Sequence, residues 1–253
     1  MSYTLKKSLG QHFLHDETIS KKIVASLIAK NNIVTEIGPG GGAITKYLIE
    51  RQFESFQCIE IDKEKVDYLI KTYPTLKNNI IHSDILQLAM QYPQGTALIG
   101  NFPYNISSQI MFHILEHSDA IHEVVGMFQK EVAQRIASAH GSKVYGILSV
   151  LTQCFYDIDY LFDVAPSSFT PPPNVNSGVI RLQKKENPFI KKEDYKKFKT
   201  LVKASFNQRR KTLRNSLKSF YPIDLLQGEV FSKRAEQLAV GDFVGLFHTL
   251  QSA

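Results

Sequence analysis

Asn101-Phe102-Pro103-Tyr104 is the stretch of this chain whose residue types could do chemistry on a nucleobase. The exocyclic amine of a base is a poor nucleophile, because its lone pair is delocalised into the ring. Two acceptors that hold its hydrogens draw the nitrogen toward a tetrahedral shape and aim the lone pair at a methyl group. The Asn101 side-chain oxygen supplies one acceptor. The Phe102 carbonyl supplies the other, since Pro103 keeps Phe102 out of the helical region. Tyr104 offers a ring on which a base taken from its stack can lie. No general base is required, because an ammonium product sheds its proton readily once formed; catalysis is then positioning and electrostatics. The competing reading is a plain loop, as Asn and Pro are common turn residues.

A second group lies upstream. Glu36-Ile37-Gly38-Pro39-Gly40-Gly41-Gly42-Ala43 joins a strand-like run to a helical one. Glycines let the backbone turn sharply and let a ligand approach it closely. Gly38, Gly40 and Ala43 satisfy the loose spacing G-x-G-x-x-G/A, a weak sign by itself. Glu60 ends the next strand, 22 residues after Gly38, where an acid can take both hydroxyls of a ribose. That much suits NAD and S-adenosylmethionine alike. Asp84 ends a third strand and could accept a bond from an adenine amino group. Acids at three successive strand ends favour S-adenosylmethionine, which has no pyrophosphate to house, and Glu36 can lie near its cationic end. Against a cofactor role stands the frequent use of Asp as a helix cap. An NAD-dependent oxidoreductase would also need a hydride-handling site, and the sequence offers none.

Strand ends must carry these groups. β-rich runs at 33–37, 56–61, 79–82, 96–100, 123–128, 149–157 and 178–182 alternate with helical patterns at 44–48, 63–72, 110–115 and 130–139. Such alternation predicts parallel strands with right-handed crossovers, hence a doubly wound, mostly parallel, seven-stranded α/β sheet. The loop 163–176, with Pro171-Pro172-Pro173, has no room for a helix, so the last two strands are expected as an antiparallel pair at one edge. Beyond residue 184 the period is helical at Phe198, Leu201, Val202 and Phe206, at Leu213, Leu217 and Phe220, and at Phe243, Leu246, Phe247 and Leu250, with Asp242 placed to cap the last helix. The expected division is a cofactor-binding catalytic domain over 1–184 and a small all-helical domain over 185–253.

Charge follows the same division. Residues 184–218 hold 13 Lys and Arg against 3 Asp and Glu, a net of +10 in a chain whose total is +6. A mildly acidic body thus precedes a basic segment that reads as a footprint for a polyanion, nucleic acid first. A solvated helix face is the alternative, and Arg209, Arg210 and Arg214 weigh against it. Lys211, Arg214 and Lys218, at i, i+3 and i+7, would form the basic side of a helix that docks Leu213, Leu217 and Phe220.

A hydrophobic share of 43% is enough for a real core and argues against global disorder. No run of about 18 apolar residues exists to span a membrane, and no secretory pattern opens the chain. Cys58 and Cys154 sit in apolar runs and read as buried free thiols in a reducing cytoplasm. The histidines are scattered and no Cys/His cluster exists, so no metal site is expected.

The motifs together carry a resemblance. Asn101-Phe102-Pro103-Tyr104 is similar to the N-[LIF]-P-[YF] motif of adenine-N6 methyltransferases, and the chain over nearly its whole length resembles the ribosomal RNA adenine N6-dimethyltransferase family. Residues 7–14 (KSLGQHFL) look like its N-terminal cofactor-covering segment, 36–40 its E-I-G-x-G loop, and 101–107 (NFPYNIS) nearly its whole fourth motif. Residues 169–177 (FTPPPNVNS) are similar to its F-x-P-P-P-x-V-x-S loop. Residues 206–217 (FNQRRKTLRNSL) resemble the branch that modifies small-subunit rRNA more than the resistance branch acting on large-subunit rRNA.

The resemblance implies a class I S-adenosylmethionine-dependent, Rossmann-like methyltransferase, with S-adenosylhomocysteine as product and no metal. Cofactor contacts carried over by position are His12, Leu14, Gly38, Glu60, Asp84 and Asn101, with His12 standing where many members have Asn. Asn101, Phe102, Pro103 and Tyr104 carry the chemistry; Phe102 replaces a commoner Leu, and only its backbone is expected to matter. Phe169 could close over the other face of the target adenine or could be core, and both readings stand. Arg209, Arg210, Lys211, Arg214 and Lys218 are the expected RNA contacts. The implied reaction adds two methyl groups to each of two adjacent adenosines in a hairpin loop near the 3′ end of small-subunit rRNA. The implied setting is a cytoplasmic monomer acting on a pre-small ribosomal subunit, with a role in its assembly and none at a membrane. A large-subunit rRNA or DNA adenine methyltransferase, and an RNA-binding factor that keeps the fold without the activity, are the rivals. The intact Glu60, Asp84 and Asn101–Tyr104 set speaks against the last.

Overall fold

The computed structural model describes residues 12–30, 32–88 and 91–251. In chain order the regular elements are β1 (Phe13–Leu14), α1 (Glu17–Ala25), β2 (Ile33–Ile37), α2 (Thr45–Glu50), β3 (Ser55–Glu60), α3 (Lys63–Thr72), β4 (Ile80–His82), β5 (Thr96–Asn101), α4 (Ser107–Glu116), β6 (Ile121–Gln129) and α5 (Lys130–Ala137). They continue with α6 (Ile147–Phe155), β7 (Tyr156–Val164), β8 (Phe169–Thr170), β9 (Ser177–Lys184), α7 (Tyr195–Phe206), α8 (Leu213–Leu217) and α9 (Val240–Gln251). Among the described residues, no helix is long and apolar enough to cross a membrane.

A seven-stranded sheet runs in the order β4-β3-β2-β5-β6-β9-β7. β2 pairs in parallel with β3 and β5, β3 with β4, and β5 with β6, whereas β9 is antiparallel to β6. The order of winding reverses between β2 and β5. In open α/β sheets that reversal leaves a crevice beyond the carboxyl ends of the strands, and both motifs singled out above follow these two strands. Strands with both faces covered read as continuous apolar runs, which is why the middle of β5 and of β6 is wholly buried. Asp16 caps α1 through Thr18 N (3.0 Å) and Ile19 N (3.2 Å), and Asp62 caps α3 through Glu64 N (3.2 Å).

One strand assignment is corrected. Residues 147–155 form α6, not a strand, and β7 occupies 156–164 instead. Seven of the nine α6 residues are buried, so its polar stripe is nearly absent and the helical period is invisible. The signal for β7 was available in the alternation of Tyr156-Asp157-Ile158-Asp159-Tyr160. As the outermost strand it carries charges that discourage further pairing, and Asp159 is bound by Arg181 of β9 (Nη2, 2.8 Å). β7 and β9 do neighbour each other at one edge.

The chain divides into two compact units. One comprises residues through Ala133 with Ile158–Lys184, the other Gln134–Asp157 with the residues from Lys185 on. The break at 184 thus recurs, but residues 134–157 group with the C-terminal helices. The reason is packing: α6 lies against α7 and α9. In that second unit Phe206 stacks on Phe243 (5.7 Å, 23°) and Phe198 meets Phe247 edge-on (5.6 Å, 89°). Asp242 closes the start of α9 from within the first turn, accepting from Ala239 N (2.9 Å).

Candidate cofactor and nucleobase site

A cavity of about 210 Å³ opens at the switch point between β2 and β5. His12, Leu14, Glu36, Gly38, Glu60, Asp84 and the Asn101–Tyr104 stretch all line it. Gly38 and Gly40 lie at positive φ (66° and 57°), a conformation open to glycine at little cost. The turn they make brings Gly40 N to Glu60 Oε2 (3.0 Å), while Asp62 N donates to Glu60 Oε1 (2.9 Å). Each carboxylate oxygen therefore has a backbone donor, and the pair of oxygens keeps lone-pair sites for a diol. Burial pushes the Glu60 carboxyl above its ordinary value, partly offset by these backbone donors. Asp84 is held by Leu86 N (2.9 Å).

Glu36 is 1% exposed, and the Cys58 thiol donates to it (3.7 Å). Burial, reinforced by the Glu60 charge and partly offset by the Thr45 hydroxyl and the Cys58 thiol, pushes its carboxyl up to about 8. Near neutral pH it is largely protonated, and a cation nearby would favour its ionised form.

At the end of β5, Asn101 Nδ2 donates to the His12 carbonyl (3.3 Å). That bond orients the amide and leaves Oδ1 as the end that can accept. Pro103 adopts φ −56°, ψ 127°, and a short turn over Tyr104–Ile106 leads into α4. Ser107 Oγ donates to the Tyr104 carbonyl (3.1 Å). The Tyr104 ring lies 5.7 Å from that of His12 at 30°, and its hydroxyl shares a 2.5 Å hydrogen bond with Ser177.

Two expectations about aromatic residues change. The Phe102 side chain matters after all: it is fully buried and meets Phe128 edge-on (5.0 Å, 71°). Its ring fills the space beside Gly126, where a Cβ would stand 2.5 Å from it. The ring anchors the loop whose carbonyl is on offer. Phe169 does not line the cavity; it is 2% exposed and packs in the core with Leu14, Val164 and Val179. An antiparallel pairing of β1 with β8 puts Leu14 opposite Phe169 and Phe13 opposite Thr170. In this arrangement the ring takes the core position, the second of its two expected readings.

The same pairing ties down the segment that follows the undescribed residues 1–11, on which part of the N-terminal motif falls. His12 Nδ1 donates to the Pro171 carbonyl (2.8 Å), His15 N to the Ser168 carbonyl (3.0 Å), and Ser168 Oγ to Asp16 (3.2 Å). Sequence reasoning missed this clasp, which joins residues more than 150 positions apart. It also missed Ile61 and Ile85, which line the cavity directly after Glu60 and Asp84 and supply apolar surface for a flat ring. An apolar residue after each strand-end acid was the available signal.

In the second unit the basic residues divide. Arg209 donates to the Lys143 and Tyr145 carbonyls (2.8 and 3.0 Å), and Arg214 Nε to the Leu226 carbonyl (3.0 Å). Arg210, Lys211 and Lys218 are exposed, as is Arg209 despite these bonds. The expected helix is shorter than its charge pattern suggested: α8 spans only 213–217, Thr212 is extended (ψ 158°), and Lys211 lies in the preceding turn. Leu213 and Leu217 are buried, but Phe220, past the helix end, is 53% exposed.

Comparison with known proteins agrees with this arrangement. Ribosomal RNA small subunit methyltransferase A of Cytophaga hutchinsonii is 50% identical over 250 residues, covering 97% of this chain and 96% of its own. The protein of the same name from Flavobacterium johnsoniae is 50% identical over 252 residues, covering 98% and 96%. A dimethyladenosine transferase from Plasmodium falciparum superposes with a TM-score of 0.81 at 26% identity, over 95% of this chain and 98% of that one. The 23S rRNA methyltransferase ErmE shares the fold at a TM-score of 0.69 and 23% identity, over 94% and 99%. The family model for ribosomal RNA adenine dimethylase matches residues 2–252, and this chain belongs to that family.

Proposed function

We propose that this chain transfers methyl groups from S-adenosylmethionine to N6 of two adjacent adenosines in the 3′-terminal hairpin loop of small-subunit rRNA, two to each. The observation that carries this is the amide of Asn101, oriented by its bond to His12 and placed on the wall of an acid-lined cavity. The small-subunit target is supported by the two 50%-identical relatives and the name they bear. Within the same proposal the protein works as a cytoplasmic monomer on a pre-small ribosomal subunit and contributes to its assembly.

The cavity residues fit S-adenosylmethionine. Glu60 would take the ribose diol, Asp84 the adenine amine, and Glu36 a cationic group, with Gly38, His12 and Leu14 completing the wall. When bound, this group supplies an electrophilic methyl. Asn101 Oδ1 and the Phe102 carbonyl accept the two amine hydrogens, and Pro103 fixes the carbonyl's direction. Tyr104 provides the stacking ring. Burial pushes its phenol above the ordinary value, so it stays protonated near neutral pH and does not act as a base. Catalysis then rests on positioning and on acceptors preset for the developing charge. Arg210, Lys211 and Lys218 are the groups proposed for RNA phosphates, with Arg209, also exposed, and Arg214 bonded to the chain's own carbonyls and shaping the surface that presents them.

The test is methylation of small subunits from a strain lacking this gene by the purified protein, with mass spectrometry locating the product. Dimethyladenosine at two adjacent positions near the 3′ end is the expected result. Methylation of large-subunit rRNA instead, or none, refutes the proposal.

A further inference from the structure

We infer that Ser177 is a positioning residue that, with the His12 ring, presets the Tyr104 ring for the target adenine; the inference rests on the base-stacking reading of Tyr104 above. Ser177 is fully buried, and its hydroxyl meets the Tyr104 hydroxyl at 2.5 Å. It is the first residue of β9, in register with Gln129 of β6, and the adjoining Asn176 carbonyl accepts from Lys130 N (2.9 Å). Its backbone is thus held by the central sheet.

Tyr104 is by contrast on a short turn outside the sheet. Its backbone is held from one side, by Ser107 Oγ on its carbonyl (3.1 Å). A ring fixed only near Cα keeps its torsional freedom about χ1 and χ2. The Ser177 bond pins the far end, while His12 flanks the ring at 5.7 Å. These two anchors, at opposite ends of the ring, lie on the χ2 axis and fix where the ring sits, and the His12 ring beside it, at 30°, limits how far its plane can turn about that axis before any base arrives. A base stacked on that plane meets the Asn101 and Phe102 acceptors in a set orientation, and small errors of orientation are expensive in rate. The sheet thereby transmits its rigidity to the stacking ring through one hydroxyl pair.

The experiment is single-turnover methylation of small subunits at saturating cofactor, with Ser177→Ala, Tyr104→Phe and the double variant. Each single change removes the same hydrogen bond, of a strength that corresponds to about a 3- to 10-fold rate loss. The double variant should lose no more than either single one. Cofactor affinity and RNA affinity should stay near those of the unmodified protein, and Ser177→Thr, which keeps the hydroxyl, should restore most of the rate. Multiplying losses in the double variant, or an unchanged rate in Ser177→Ala, overturn the inference. Tyr104→Ala separates the two levels. If it collapses turnover while Ser177→Ala does nothing, only the positioning role falls. An unchanged rate in Tyr104→Ala removes the stacking reading and the inference with it.

Discussion

The acids around the cavity and the basic residues of 209–218 both came to notice as charges, but the fold treats them in opposite ways. Glu36 and Glu60 are buried at the ends of adjacent parallel strands, and Glu60 is fixed by two backbone donors. Burying a carboxyl is costly unless it is paired or neutralised, so such residues mark a place where something else is gained. The basic residues sit on turns and a five-residue helix, and two of them are spent on the chain's own carbonyls. Strand ends dictate where a side chain points. An exposed turn leaves that to whatever carbonyl lies in reach.

The sharpest break of this comparison is at the chemical centre. Asn101→Ala removes an acceptor made for the transition state, and losing one such group costs about 100-fold or more in kcat. Whole-RNA affinity should be little changed. Because Asn101 also holds His12, cofactor binding must be measured in the same variant. A single-turnover rate near that of the unmodified protein rules out amine positioning.

Next in size is the buried acid. Glu60→Ala removes the proposed diol acceptor and also strips Gly40 N and Asp62 N of their partner. Charge-assisted bonds of about 1.5–3 kcal/mol each imply at least a tenfold loss of S-adenosylmethionine affinity. Calorimetry showing unchanged affinity excludes Glu60 from the cofactor site.

The basic residues should split by environment. Lys218→Glu or Lys211→Glu should weaken RNA binding and reduce its salt slope by about 1 each, with no effect on the thermal midpoint. Arg209→Ala should instead lower the midpoint, because it leaves the Lys143 and Tyr145 carbonyls without their donor. If Arg209 changes only the salt slope and Lys218 only stability, the division proposed here is reversed.

The acid side of the comparison also predicts a pH dependence without cofactor. The folded Glu36 carboxyl is up at about 8, against about 4.3 in an unfolded chain. Between those values the native state binds the extra proton, so this group makes stability fall as pH rises through that window. Glu36→Gln should flatten that decline in urea unfolding between about pH 5 and 8. An equal slope in the variant shows that Glu36 is not its source.

How much was legible follows the same line. The glycine loop, Glu60, Asp84 and Asn101–Tyr104 were readable because a strand of period two followed by a turn fixes direction locally. α6 was not, since burial on nearly every side erases the polar stripe that distinguishes a helix from a strand. Phe169 stood open between ring and core for a similar reason: an aromatic before a proline run is compatible with either.

By itself the sequence determined the α/β alternation, the set of candidate residues at the switch point and the concentration of positive charge, because each depends on neighbours within a few residues. Tertiary structure alone decided that β1 clasps β8, that the Phe102 ring seats against Gly126, and that Ser177 meets Tyr104. Those contacts join residues 24 to 157 positions apart or depend on space left by a missing side chain, as at Gly126. Local spacing carries no information about either, since it is the closing of the chain on itself that brings the partners within reach.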